Sequence, residues 1–262
     1  RRARTGPAAS ALPARRHAER DRLLSRVETI GDATLYLGDC SEIAVLADAC
    51  IADPPYGVSL NTKTAARGRH RGKAFGLSGS DDFAPIRGDD KPFDPLHLLA
   101  FKQAIIWGGN HFCSRLPDAP QWLVWDKRCG GTPDDNADCE LAWTNLGGPA
   151  RMHRQVWRGF FRAGEENAAI SGAKVHPAQK PVALMQWCVE MTAGVVCDPY
   201  MGSGTTGVAC VRLGRPFIGV EIDDAILHRR EFPLQPGDEP EWPEDETQTE
   251  RNPAQARSLE DE

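Results

Sequence analysis

Asp198-Pro199-Tyr200-Met201-Gly202-Ser203-Gly204-Thr205-Thr206-Gly207 follows the apolar run Val195-Val196-Cys197 and leads into a stretch of helical spacing over 205–213. The loop contains G-x-G-x-x-G, and Glu221 closes the next apolar run, Phe217-Ile218-Gly219-Val220, about twenty residues after the first glycine. In a strand–loop–helix–strand unit such glycines let a ligand approach the backbone. A carboxylate at the end of the second strand can then accept hydrogen bonds from two ribose hydroxyls. A nucleoside-containing cofactor is therefore expected. A dinucleotide would want a small residue at the strand end, whereas Asp198 sets a carboxylate beside the loop. That charge repels pyrophosphate and suits a cationic amine or sulfonium. A glycine-rich turn with no ligand is the bland alternative.

Outward from this unit, short and nearly continuous apolar runs recur between turn signals: Thr34-Leu35-Tyr36-Leu37, Cys50-Ile51-Ala52, Ala104-Ile105-Ile106-Trp107 and Trp122-Leu123-Val124-Trp125. Such runs predict strands of a parallel sheet covered on both faces. A helix is predicted over 181–192, with Pro181 in its first turn and Val182, Leu184, Met185 and Cys188 along one stripe. The class is α/β with a doubly wound, mostly parallel sheet, in which ligands sit at the carboxyl ends of the strands.

A second loop, Asp53-Pro54-Pro55-Tyr56-Gly57, follows the run at 50–52. Two successive prolines fix φ and remove two donors, so the loop is rigid and its carbonyls are free to accept. Asp53 and the Pro54 carbonyl can receive an aromatic amine while Tyr56 stacks on its ring. A proline-rich turn capped by Asp53 is the structural alternative.

With these two loops in view, the sequence resembles the S-adenosylmethionine-dependent DNA amino-methyltransferases, in the permuted order where the catalytic loop precedes the cofactor loop. Further blocks resemble bacterial and phage members: Leu37-Gly38-Asp39-Cys40, Ile106-Trp107-Gly108-Gly109-Asn110, Glu140-Leu141-Ala142-Trp143-Thr144-Asn145 and His176-Pro177-Ala178-Gln179-Lys180-Pro181. The resemblance implies a Rossmann-like methyltransferase fold. It implies that Asp39 meets the cofactor adenine and Lys180 its carboxylate. Asp198 with the Gly202, Gly204 and Thr205 turn would meet the methionine part, and Glu221 the ribose. Asp53, Pro54, Pro55 and Tyr56 would hold the target base. Standing alone, Asp39 would read as a helix cap and Lys180 as a surface charge.

An exocyclic amino nitrogen is a poor nucleophile because its lone pair is delocalised into the ring. Hydrogen bonds from it to Asp53 and the Pro54 carbonyl would localise that pair and stabilise the developing charge. The target amine lies inside a duplex, so the base must be flipped out. No Pro-Cys dipeptide is present for covalent attack at a ring carbon. In the resembled family Asp before Pro-Pro-Tyr accompanies adenine N6 more often than cytosine N4, so N6 is expected and N4 is the alternative. A DNA-binding relative with impaired catalysis is a third reading and a nicotinamide-dependent dehydrogenase a distant fourth. Two basic stretches are candidate DNA contacts, each with a solvated face as its alternative. The first carries Lys63, Arg67, Arg69, Arg71 and Lys73, and the second mixes Arg154 and Arg158 with Trp157, Phe160 and Phe161.

The 262 residues, 40% apolar and 26% charged, suit one domain with flexible tails. Residues 1–26 carry eight arginines against Glu19 and Asp21, a charge of +6, and 231–262 carry eleven acids against Arg251 and Arg257, a charge of −9. Both ends lack apolar periodicity, which predicts a disordered basic arm and a disordered acidic tail around a methyltransferase domain at 27–230. Within it, 129–172 is the candidate target-recognition segment. Only 225–230 remains before Pro233 where the resemblance implies a longer helix. The first residue is arginine, so a processed or partial product is expected. No apolar run approaches the ~20 residues of a membrane span and no secretory signal is seen, so a cytoplasmic protein without membrane contact is expected. A homodimer and a cognate restriction endonuclease are further candidate partners. The eight cysteines include no C-x-x-C pair and read as reduced, buried thiols with no metal.

Overall fold

The computed structural model describes residues 26–43, 45–60, 85–131, 137–158, 161–162 and 179–223. The basic stretch 63–73 and the acidic tail lie outside them, as do residues 1–25 of the arm, His176-Pro177-Ala178 and Phe160. The strands are β1 (Arg26–Ile30), β2 (Ala33–Leu37), β3 (Ala49–Ala52), β4 (Gln103–Trp107), β5 (Trp122–Asp126), β6 (Cys139–Thr144), β7 (Arg151–Arg154), β8 (Trp157–Arg158), β9 (Phe161–Arg162), β10 (Val196–Asp198) and β11 (Phe217–Glu221). Two helices, α1 (Val182–Glu190) and α2 (Thr205–Arg212), flank β10 in sequence.

Nine strands form one sheet in the order β1-β2-β11-β10-β3-β4-β6-β5-β7, and β8 pairs with β9 apart from it. The five central strands from β2 to β4 run parallel. Antiparallel β1 closes one edge, while β6 runs antiparallel between β4 and β5. Every residue of β3 and β10 is buried, as is β4 from Ala104 to Trp107, which is what strands covered on both faces require. The exposed edge strand β7 carries Arg151 and Arg154, and charge of that kind discourages pairing with another chain.

Period-two alternation sorts the core onto the two faces of the sheet. Ile51, Ile105 and Trp107 join Leu184, Met185, Cys188 and Val189 of α1 and Phe217 of β11 in one cluster. Cys50, Ala52, Ala104 and Ile106 join Leu98, Phe112 and Trp143 in the other. Both α-helices of the described residues cover the first face. Among the described residues, short 3-10 turns at Leu98–Ala100 and Cys113–Arg115 border the second. Strand β4 divides the proline-free run between Pro95 and Pro117, so each side of it has room only for short turns.

Several expectations change in detail. Helix α1 is shorter at both ends than 181–192, and Pro181 is its extended N-cap, at φ −64° and ψ 142°. Cys139–Thr144, in the middle of the stretch assigned to target recognition, is a strand inside the main sheet. All eight cysteines are free thiols, but only Cys50, Cys188, Cys197 and Cys210 are buried; Cys113 and Cys129 are exposed. Strand β1 begins at Arg26, inside the stretch assigned to the arm. No helix among the described residues is long and apolar enough to cross a membrane.

The connections place the site. From β10 the chain passes through α2 to β11 on one side, whereas from β3 it passes to β4 on the other. The order therefore reverses between β10 and β3, and the crevice at their carboxyl ends is the topological switch point where α/β sheets bind ligands. Asp198 ends β10 and Asp53 follows β3.

Candidate active site

Five parallel strands deliver their carboxyl ends to one edge, bringing together Asp39 after β2, Glu221 at the end of β11, Asp198, Asp53 and Gly108 after β4. The glycine loop is pinned between them. Met201 donates its amide to the Val220 carbonyl and Gly204 donates to Met201. Gly204 caps α2 at φ 77°, a left-handed conformation that favours glycine. Gly207, one turn into α2, lies so close to Phe217 that a Cβ there would stand 2.8 Å from the ring. The third glycine of the motif thus serves helix–strand packing.

Asp198 is buried, with its Oδ2 accepting from the Thr206 hydroxyl at 2.6 Å and its Oδ1 from the Tyr200 amide at 3.0 Å. Burial pushes its carboxyl up to about 7, against the lowering effect of those two hydrogen bonds and with a smaller upward contribution from Asp53 and Glu221. Glu221 accepts from the Gly202 amide at 2.8 Å and the Asp223 amide at 2.8 Å, and burial raises its carboxyl too. Asp39 is more open. Its Oδ1 accepts from the Ser41 amide at 2.9 Å and the Ser41 hydroxyl at 2.7 Å, an Asx turn at the mouth of the edge.

The second loop is held from three directions. Tyr56 donates its hydroxyl to Asp53 Oδ1 at 2.6 Å, and its ring stacks on His111 with centroids 5.0 Å apart. The same ring lies against Gly108, where a Cβ would stand 2.0 Å from a ring carbon. Lys180, buried at the foot of α1, donates from Nζ to Asp53 Oδ2 at 2.6 Å and to the Tyr56 hydroxyl at 3.2 Å. Its ammonium also stands 3.1 Å from Glu140 Oε2, while Lys127 donates to Glu140 Oε1 at 2.9 Å. Two carboxylates and two ammoniums thus balance in charge. Burial opposes ionisation of Glu140, but Lys180 and Lys127 outweigh it and hold the carboxyl down to about 2. Burial likewise works to lower the Lys180 ammonium, and Asp53 and Glu140 outweigh it and raise it well above the ordinary lysine range. Beyond Tyr56, the Asp89 carboxylate accepts from the amides of Gly57, Val58 and Leu60 at 2.8, 3.1 and 2.6 Å.

The structure therefore gathers Asp39, Asp53, Pro54, Pro55, Tyr56, Lys180, Asp198, Gly202, Gly204, Thr205 and Glu221 at one edge. Lys180 sits on Asp53 and Glu140. Thr206, Asp89, Lys127 and Glu140 join the site without being marked by either loop motif. Thr206 could have been found as the hydroxyl one residue beyond Thr205, whereas the other three act across the fold and leave no local signal. Arg154 lies on the exposed edge strand, with Nε 3.6 Å from Asp126. Lys63, Arg67, Arg69, Arg71 and Lys73 lie outside the described residues, as does the side chain of Arg158. Trp157, read from the sequence as a candidate base-stacking residue, is partly buried and packs edge-on against Trp125, with centroids 6.4 Å apart, and against the core. An indole has more to gain from burial than from display on an arginine-rich loop.

Residues 134–230 match the family model N6_N4_Mtase, described as DNA methylase. The chain is related by sequence to the DNA amino-methyltransferases. The chain is 30% identical over 141 residues to the Type II methyltransferase M.HinfI of Haemophilus influenzae, a match covering 50% of the chain and 37% of that protein. It is 36% identical over 80 residues to the Type II methyltransferase M2.DpnII of Streptococcus pneumoniae, covering 29% of the chain and 28% of that protein. The matched regions thus span well under half the length of either relative. Among solved structures, the M1.HpyAVI–SAM complex is similar at a TM-score of 0.42 and 21% identity, covering 74% of this chain and 96% of that one. The cytosine-N4-specific PvuII DNA methyltransferase is similar at 0.46 and 14%, covering 74% and 83%.

Proposed function

We propose that this methyltransferase relative transfers a methyl group from S-adenosylmethionine to the exocyclic N6 of adenine in DNA, after the base is flipped out of the duplex. The observation that carries the proposal is the pairing of Asp53 and Asp198 across the switch point, one in a rigid Pro-Pro loop and the other in a glycine cradle. The cradle suits the cofactor chemically. Among the described residues Asp198 holds only neutral donors, the Thr206 hydroxyl and the Tyr200 amide, so a cationic group would be its first compensating charge. Glu221 and Asp39 stand at neighbouring strand ends, where a ribose and an adenine would meet them. S-adenosylmethionine, when bound, supplies an electrophilic methyl on a sulfonium.

The chain's own residues do the rest. Asp53 and the Pro54 carbonyl accept N–H hydrogen bonds from the amine, which frees its lone pair for attack and stabilises the positive charge that grows on nitrogen. The fixed φ of Pro54 and Pro55 keeps that acceptor pair in place, so that orientation is built in before the base arrives. Tyr56 offers a ring face whose stacking compensates part of the unstacking cost of a few kcal/mol. The preference for adenine rests on Asp53 preceding Pro-Pro-Tyr, and cytosine N4 is the alternative. A cytoplasmic location, a homodimer and a cognate restriction endonuclease belong to the same proposal.

The test is to incubate unmethylated bacteriophage DNA with the protein and labelled S-adenosylmethionine, digest to nucleosides and identify the product by mass spectrometry, with Asp53→Ala as control. N6-methyladenine that disappears in the variant is the expected result. N4-methylcytosine would transfer the proposal to the other base. No labelled base from folded protein would overturn it in favour of a DNA-binding relative.

A further inference from the structure

Lys180 donates two hydrogen bonds, to Asp53 Oδ2 at 2.6 Å and to the Tyr56 hydroxyl at 3.2 Å, and its Nζ stands at ion-pair distance, 3.1 Å, from Glu140 Oε2. The hydroxyl of Tyr56 is turned toward Asp53 Oδ1, so both oxygens of that carboxylate already hold a donor of this chain. The donor on Oδ2 is a cation. An amine that gains positive charge as it takes a methyl group would meet a like charge there, in surroundings shielded from water, and like charges so placed repel strongly.

A second acceptor for that cation stands ready. Among the described residues, Glu140 Oε2 is closed off from solvent and accepts no well-directed hydrogen bond, although the Lys180 ammonium is within ion-pair distance. The other oxygen is tied to Lys127 at 2.9 Å, so the carboxylate cannot turn away, and β6 holds its backbone between β4 and β5. Lys180 reaches this point on a flexible four-carbon stem from just before α1. A short swing of Nζ would complete the missing bond at Glu140 and release Asp53.

On the reading of the site given above, we infer that Glu140 is a positioning residue for methyl transfer: it draws the Lys180 ammonium off Asp53, so that Asp53 Oδ2 can receive the target amino group. Lys180 then has two stations. On Asp53 it neutralises the carboxylate while the site waits for a base, and on Glu140 it leaves that carboxylate to the substrate. Lys127 serves the second station by fixing Glu140.

Glu140→Gln keeps the shape and removes the charge that attracts the ammonium. With wild-type protein as reference, kcat on bacteriophage DNA should fall at least tenfold, while KM for S-adenosylmethionine stays within about twofold. Removing the ammonium as well, in Glu140→Gln/Lys180→Met, should restore part of the lost kcat, a rescue that a merely structural role would not produce. Wild-type kcat in Glu140→Gln overturns the inference, as does a loss that the double variant leaves unrepaired. So does a raised cofactor KM with kcat preserved, which would assign Lys180 to the cofactor. Should Glu140→Gln fail to fold, Glu140→Asp decides, since it keeps the charge one methylene further back. A smaller loss confined to kcat is expected there, and unchanged kcat overturns the inference. Wild-type protein that methylates no DNA overturns the enzymatic reading and this one with it, whereas active wild type beside unaffected variants overturns this one alone.

Discussion

The hydroxyl of Thr206 donates to Asp198 Oδ2 at 2.6 Å, and that single neutral bond is what β10's terminal carboxylate has from α2. Its carboxyl moves from an ordinary 3.8 up to about 7, because burial outweighs the bond. Between those values the folded state holds more proton than the unfolded chain, so this group's contribution to stability is full below 3.8 and is lost as pH rises through about 7. Asp198→Asn removes the dependence. Relative to wild type the variant should gain stability between about pH 4 and about pH 8, on the order of a few kcal/mol, and thermal unfolding across that range measures it. Its affinity for S-adenosylmethionine should fall at least tenfold. In wild type that affinity should rise with pH up to about 7 and then level off, as calorimetry can follow. A buried carboxylate that costs stability and is needed for binding is the trade expected of a functional site.

Gly108 carries Tyr56 as a flat surface. At φ 72° an alanine costs roughly 1–2 kcal/mol in backbone strain, and its Cβ would stand 2.0 Å from the tyrosine ring. The ring must move, and with it the hydroxyl that holds Asp53 Oδ1. Gly108→Ala should therefore lower kcat at least tenfold and leave the cofactor dissociation constant within about twofold, since the glycine cradle is on another strand. Steady-state kinetics beside calorimetry separate the two effects. An equal loss of cofactor affinity would mean that Gly108 serves the whole edge.

Asp89 acts on the same loop from the other end. It is 3% exposed and accepts three amides within four residues, of which Leu60's bond is the shortest at 2.6 Å. Asp89→Ala leaves those amides to water, because Val58 and Leu60 are exposed, so the loss of stability should be modest at about 1–3 kcal/mol. The larger effect is expected on catalysis. A loop free to shift by an ångström loses much of the advantage of prior orientation, so kcat should fall by about tenfold or more. Denaturant unfolding and methyl-transfer assays on one preparation test both halves.

What could be read in the sequence is what lies close together along the chain. Strands β2, β3, β4, β5, β10 and β11 announce themselves as apolar runs bounded by turn residues, and both ligand loops are contiguous motifs. Strand β6 is harder to see within 129–172 because Glu140 breaks its apolar pattern near the start, and burial begins only at Ala142. Strand β1 was hidden by an arginine-rich flank, although Gly31, at φ 55°, marks its hairpin with β2. The charge cluster could not be read at all. Lys180 is 127 residues from Asp53, and Lys127 and Glu140 meet only because β5 and β6 are neighbours. Trp157 is a further case, since an aromatic among arginines gives no sign of Trp125, the packing partner that the fold supplies.

DNA contact gives the last prediction. Lys63, Arg67, Arg69, Arg71 and Lys73 place five cations within eleven residues, directly downstream of the Asp53-Pro54-Pro55-Tyr56 loop, and Arg154 adds another on the exposed edge of the sheet. Cations that neutralise phosphates release condensed counterions, so each one engaged contributes about 0.9 to the slope of log affinity against log salt. Replacing the five together by serine should weaken binding to duplexes of unrelated sequence alike and flatten that slope by roughly one for each phosphate no longer neutralised. Arg154→Ala should do the same on a smaller scale, because its guanidinium is already shared with Asp126. Fluorescence anisotropy over a salt series reads both. A fall in affinity at constant slope would mean that these residues shape a loop and do not grip the backbone, and DNA contact would then have to be sought elsewhere along the edge that carries Asp53.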